Sequence, residues 1–123
     1  MEKLTGLIAA PHTPFDSHGE VNYPVIDQIA EHLIGQGVKG VYVLGTTGEG
    51  IHCSVAERKK IAERWVAASH GKLSITLHTG ALSIADSLDL SRHAETLDIF
   101  ATSVIGPCFL KPSSVDDLVE YCR

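Results

Sequence analysis

Long apolar runs are missing from this chain: segments such as Val41 to Leu44 have the length of a strand, far short of the roughly 20 residues that cross a bilayer. The apolar segment Leu4 to Ala10 behind Met1-Glu2-Lys3 is likewise too brief for a secretory signal, so no membrane is expected as a partner. Cysteine pairs are absent too. Cys53, Cys108 and Cys122 are odd in number and show no C-x-x-C spacing, which excludes a disulfide framework or a zinc knuckle and fits a reducing, cytoplasmic setting. Cations are in the minority, with Lys+Arg 10 against Asp+Glu 15 and a net charge of -5. Their densest cluster is Arg58-Lys59-Lys60, read as a solvated helix face, so neither nucleic acid nor an anionic membrane surface is indicated. No G-x-G-x-x-G follows any candidate strand, which removes support for a dinucleotide site, and no cofactor is expected.

What the chain does contain is an alternation. Four short apolar runs, Leu7 to Ala10, Val41 to Leu44, Leu73 to Leu77 and Ile99 to Ile105, each end in a turn with Gly or Pro and read as strands. Between them, Val25, Ile26, Ile29, Ala30 and Leu33 form one helical stripe, and Val55, Ile61, Ala62, Trp65 and Val66 form a second. Helix starts are legible as Ser54 with Glu57, Ser83 with Asp86 and Ser114 with Asp117, an N-cap hydroxyl with an acid in the first turn. Stops follow at Gly35 and Gly37, and again at Gly71. The caps recur about every 30 residues, so the chain reads as four strand-plus-helix units, an α/β protein with a parallel sheet. Without the dinucleotide motif, part of a (β/α)8 barrel is favoured over an open doubly wound sheet. A full barrel typically takes about 250 residues. The expectation is therefore residues 1–123 as a single partial domain: the N-terminal half of a TIM barrel, four βα units with the last helix cut short.

Directly after the second strand comes Gly45-Thr46-Thr47-Gly48-Glu49. Two glycines let the backbone turn sharply and approach a ligand, and two adjacent hydroxyls can donate to one anion, so a small carboxylate is the natural guest. Three histidines, His12, His52 and His78, would project from the ends of the first three strands, as zinc ligands do at a barrel mouth. With no H-x-H pair and no carboxylate in register, they are read as polar loop residues, His78 as one bonded to a neighbouring loop. Glu49 is read as structural, Tyr42 as packing and Trp65 as core or subunit contact. Cys53, beside Ser54 at a helix start, has no histidine partner in register and is not read as a nucleophile.

Taken with Thr13-Pro14-Phe15 after the first strand, Gly45-Thr46-Thr47-Gly48-Glu49 resembles the N-acetylneuraminate lyase and dihydrodipicolinate synthase family of Schiff-base aldolases, over essentially the whole chain. His78-Thr79-Gly80-Ala81-Leu82-Ser83 and Phe109-Leu110-Lys111-Pro112 are similar to the lyase branch. Two stretches depart from the family pattern: Pro11-His12, and Thr96 to Phe100 in place of a Gly-Ala-Asp-Gly turn. The resemblance implies a class I aldolase that cleaves a sialic acid reversibly to pyruvate and N-acetylmannosamine. It further implies that Thr46 and Thr47, with the Gly48 backbone, hold the carboxylate of a keto acid or sialic acid substrate. The Schiff-base lysine and proton-shuttling tyrosine would lie beyond Arg123, leaving this chain with no catalytic residue and inactive alone. A homotetramer is implied as well. Lys111, an exposed loop lysine, is not expected to serve as the nucleophile. Other 2-keto acid aldolases of the family stay open as alternatives. So does a non-catalytic product that pairs with full-length subunits through unpaired sheet edges and apolar barrel-facing residues.

Overall fold

In the computed structural model, residues 3–107 and 111–122 are described. Four parallel strands, β1 (Ile8–Ala9), β2 (Gly40–Val43), β3 (Ser74–His78) and β4 (Ala101–Ser103), lie side by side in chain order. Helices α1 (Tyr23–Gly35), α2 (Val55–Ser69) and α3 (Ile84–Ala94) connect or follow them, and α4 (Val115–Tyr121) comes after β4. A doubly wound sheet reverses its strand order at a switch point. No reversal occurs here, so the architecture is that of the first four βα units of a barrel.

Register assigns each side chain to a face. Val41 pairs with Ile75 and Val43 with Leu77. These four are buried together with Ile26 and Ala30 of α1 and Ile61, Ala62 and Trp65 of α2, so the core lies between the helices and one face of the sheet. The opposite face, the barrel lumen, carries the alternate positions: Ile8 and Gly40, Tyr42 and Thr76, His78 and Ser103 in register across neighbouring strands. Polar and small residues dominate it. The expectation of an apolar barrel-facing surface is therefore corrected, because the period-2 alternation of β2 and β3 sends the valines, Ile75 and Leu77 toward the helices instead.

Local signals explain the helix ends. Ser54 accepts from the Glu57 N–H at 3.3 Å while the Glu57 carboxylate accepts from the Ser54 N–H at 2.7 Å, a complete capping box at α2. Ser83 and Ser114 likewise accept from the N–H groups of Asp86 and Asp117. Gly37 and Gly71 take left-handed φ values of 77° and 69° after α1 and α2, with His70 left-handed as well at 49°. Charge pairs tie successive helices, Arg64 of α2 to Asp27 of α1 and Lys59 of α2 to Asp89 of α3. As exposed pairs they contribute roughly 0–1 kcal/mol each, so burial rather than charge holds the helix layer.

Three strands fall short of their apolar runs, and β1 keeps only Ile8 and Ala9 of Leu7 to Ala10. Leu44 leaves β2 with φ 62°, and β4 stops at Ser103 with Val104 and Ile105 largely exposed. Among the described residues no helix is long and apolar enough to cross a membrane. Trp65, read from the helical stripe as core or subunit contact, is core at 1% exposure. Trp65→Ala should cost about 3–5 kcal/mol of unfolding free energy, and Ser54→Ala about 1 kcal/mol, both read from urea denaturation.

Candidate functional site

Because the strands are parallel, the segments that follow β1, β2 and β3 open at one end of the sheet. The segment after β2 is built around the backbone of Leu44. Its positive φ is uncommon for a leucine, and a side chain only 2% exposed in the core holds it there. The chain then folds back on that residue. A Cβ on Gly48 would sit 2.9 Å from the Leu44 nitrogen and 3.2 Å from the Pro11 carbonyl oxygen, and one on Gly50 would overlap the Leu44 carbonyl. On the lumen side, a Cβ on Gly45 would overlap the Tyr42 ring, which is the floor of the loop. Thr13, buried after β1, donates its hydroxyl to the Gly48 carbonyl at 2.6 Å. The Glu49 and Gly50 N–H groups close the turn onto the Thr46 and Gly45 carbonyls.

Onto this fixed frame the loop presents Thr46 and Thr47. Both are exposed, and neither hydroxyl has a hydrogen-bond partner among the described residues. Gly48, the third residue expected to bind, is buried beside them and supplies the turn, its carbonyl already taken by Thr13. Two free donors on a rigid loop can receive a carboxylate without reorganisation. Glu49, read as structural, sits at the start of the next helical turn. Its carboxylate is exposed and unbonded among the described residues, and its backbone precedes a single 3-10 turn, Gly50–His52, with φ 52°.

The segment after β3 is pinned by Arg58, which corrects the reading of Arg58-Lys59-Lys60 as solvated. Arg58 is 3% exposed and donates to the Gly80 carbonyl at 2.9 Å and the His78 carbonyl at 2.7 Å. Positions 58, 61, 62 and 65 share one helical stripe, a spacing that could have identified it. From α3, Ser87 donates to the Thr79 carbonyl and Ser91 to the Thr79 hydroxyl. Thr13, Arg58 and Tyr42 thus support the loops through hydrogen bonds that their sequence readings, as part of a motif, a solvated face and packing, did not include. Tyr42 reaches diagonally across β3 to accept from the Ser103 hydroxyl at 2.6 Å, its ring 6.4 Å from that of His78. Burial, and next the Arg58 charge, hold the His78 imidazole below its ordinary value.

The histidines do not converge. His12 and His52 are exposed, His78 is half-buried, and among the described residues no three of His, Cys, Asp and Glu could hold a metal ion. Cys53 donates weakly to the Glu49 carbonyl, and burial, followed by the Glu57 charge, pushes its thiol up, against a thiolate role. Lys111 is exposed. Cys108, Phe109, Leu110 and Arg123 lie outside the described residues. A surface groove between α1 and α2, lined by Asp27, Glu31, Arg64 and Lys72, includes none of the loop residues.

Residues 3–123 match the model of the Dihydrodipicolinate synthetase family. The N-acetylneuraminate lyase of Xenopus tropicalis is 47% identical over 124 residues, covering 99% of this chain and 41% of that protein. Among solved structures, the Proteus mirabilis N-acetylneuraminate lyase superposes with a TM-score of 0.97 at 78% identity, covering 99% of this chain and 41% of that one. The dihydrodipicolinate synthase of Aquifex aeolicus gives 0.89 at 29% identity, with 96% and 40% covered. This chain spans about two-fifths of the length of the curated relatives it matches.

Gly45→Ala should displace the Tyr42 ring and lower stability by about 1–3 kcal/mol in urea, an overpacking cost. Acid should also destabilise through His78. Its folded value is depressed, so below the ordinary 6.5 the unfolded chain takes up a proton that the folded chain refuses. That contribution is present above this pH, and it is lost as the pH falls through the folded value. The urea midpoint of His78→Gln should therefore fall less than that of the parent chain on acidification.

Proposed function

The chain belongs to the dihydrodipicolinate synthetase family, and from that membership we propose that it is the N-terminal portion of an N-acetylneuraminate lyase. The reaction is the reversible cleavage of N-acetylneuraminate to pyruvate and N-acetylmannosamine through a lysine Schiff base. One observation carries the site assignment: two exposed threonine hydroxyls, without a partner among the described residues, on a glycine-fixed loop at the C-terminal end of a barrel strand, where barrel enzymes place their chemistry. Thr46 and Thr47 donate to the substrate carboxylate, and Gly48 shapes the turn that aims them. Holding the carboxylate fixes the neighbouring keto carbon at one distance from whatever attacks it, the entropic part of the catalysis.

Nothing among these residues supplies the covalent step. The nucleophilic lysine and the proton-shuttling tyrosine are assigned to sequence beyond Arg123, and the covalent amine makes a separate cofactor unnecessary. The 78% identity to the Proteus mirabilis lyase and the run of vertebrate lyases favour the sialic acid substrate over the other keto acids of the family. A cytoplasmic homotetramer is part of the same proposal. Its support is family membership, with exposed Ile84 and Leu88 on α3 and Val115, Leu118 and Val119 on α4 available for contact.

Pyruvate with borohydride should leave no covalent adduct on the 123-residue chain, and an adduct in the intact mass would overturn its predicted inactivity. A chimera of this chain with the C-terminal remainder of the Proteus mirabilis lyase should release pyruvate from N-acetylneuraminate. In it, Thr47→Val should lower kcat/KM about 10- to 100-fold, the loss of one charge-assisted hydrogen bond. A folded chimera with no activity, or a Thr47→Val variant with full activity, would contradict the assignment.

A further inference from the structure

At the lumen end of β3 stands a buried donor that the carboxylate loop does not use. His78 faces the lumen beside Ser103 of β4 and the Tyr42 ring of β2, with Arg58 of α2 behind it. The Arg58 guanidinium grips the His78 carbonyl at 2.7 Å, and the same Nη2 lies 3.5 Å from the ring Nδ1. A guanidinium has only donors, so a proton on Nδ1 would point at another proton and at a positive charge. Nδ1 is therefore the acceptor nitrogen, and the ring proton resides on Nε2. Nε2 is buried and has no partner among the described residues. It adjoins Gly80, where a Cβ would stand 3.0 Å from Nε2 and 3.4 Å from the Ile105 nitrogen, so any larger residue there would press on the donor.

We propose that Arg58 is a positioning residue that fixes His78 as an Nε2–H donor, and that this donor forms a subsite for a single oxygen acceptor, from water or from substrate, at the mouth of the lumen. The chemistry of the subsite follows from its charges. A buried cation and an N–H that cannot turn its lone pair outward reject metal ions and ammonium groups, and they accept a carboxylate, carbonyl, hydroxyl or water oxygen. The groups around the ring are consistent with that choice. Tyr42 and Ser103 are hydroxyls already bonded to one another, and Asp86 at the start of α3 acts on Arg58, not on the imidazole. Only the substrate source of the oxygen rests on the lyase reading. The tautomer does not.

The test is a long-range nitrogen–proton correlation spectrum of the imidazole-labelled chain between pH 5 and 8. The expected result is one His78 form at pH 6.5, the ordinary midpoint of an imidazole, with Nε2 protonated and Nδ1 not, and unmoved by equimolar zinc. His78 with the proton on Nδ1, a half-protonated His78 ring at pH 6.5, or a zinc-dependent shift would each overturn the proposal. Added pyruvate separates the sources: a shift of Nε2–H assigns the acceptor to substrate, and a donor already bonded and unmoved assigns it to water. Arg58→Met should release the ring into a mixture of tautomers. Should that variant fail to fold, the spectrum of the parent chain decides alone.

Discussion

The backbone of Leu44 is the point on which the candidate site turns. A leucine with φ 62° persists because its side chain is locked in the core between helices and sheet. Once it is there, Gly48 and Gly50 can return so close over its backbone that neither tolerates a Cβ. The reversal fixes where Thr46 and Thr47 stand, and Thr13 seals it from β1 through the Gly48 carbonyl. Core packing, an ordinary stability device, thus does the orienting that a binding loop needs. Exposure is left to the two residues that have hydroxyls to offer.

A second support runs through β3. Arg58 leaves the helix layer to bind two consecutive carbonyl-bearing turns, at His78 and Gly80, while α3 holds Thr79 between them. Burying a guanidinium is costly unless its donors are met, and here backbone carbonyls meet two of its nitrogens while Nε has no partner among the described residues. The outcome is a lumen end of β3 with fixed geometry and a fixed proton. Tyr42 joins the two supports, since its ring floors the Gly45 turn and its oxygen is anchored on Ser103 two strands away.

Much of this was legible in the sequence because the signals were local. Three serine caps with an acid three residues on marked three helix starts, and Gly45-Thr46-Thr47-Gly48-Glu49 marked the loop. The consecutive βα order that gives half a barrel also followed from alternation and the missing dinucleotide motif. What stayed hidden depended on contacts distant in sequence. Arg58 sits in a run of three cations, and only its place in the stripe with Ile61, Ala62 and Trp65 hinted that it turns inward. Leu44 reads as the last residue of a strand, since nothing in its neighbours announces a left-handed backbone. The polar lumen was present as alternation in Tyr42, Thr76 and His78, yet the valines, Ile75 and Leu77 between them drew the reading toward an apolar face.

The central claim is that a preorganised loop after β2 receives a small carboxylate. Amide chemical shifts of the 123-residue chain during a pyruvate titration test it most directly. The account predicts saturable shifts that centre on Thr46, Thr47 and Gly48 and vanish in Thr47→Val. Shifts centred on the α1–α2 groove around Arg64 and Lys72, or a folded chain whose loop amides do not respond, would contradict it.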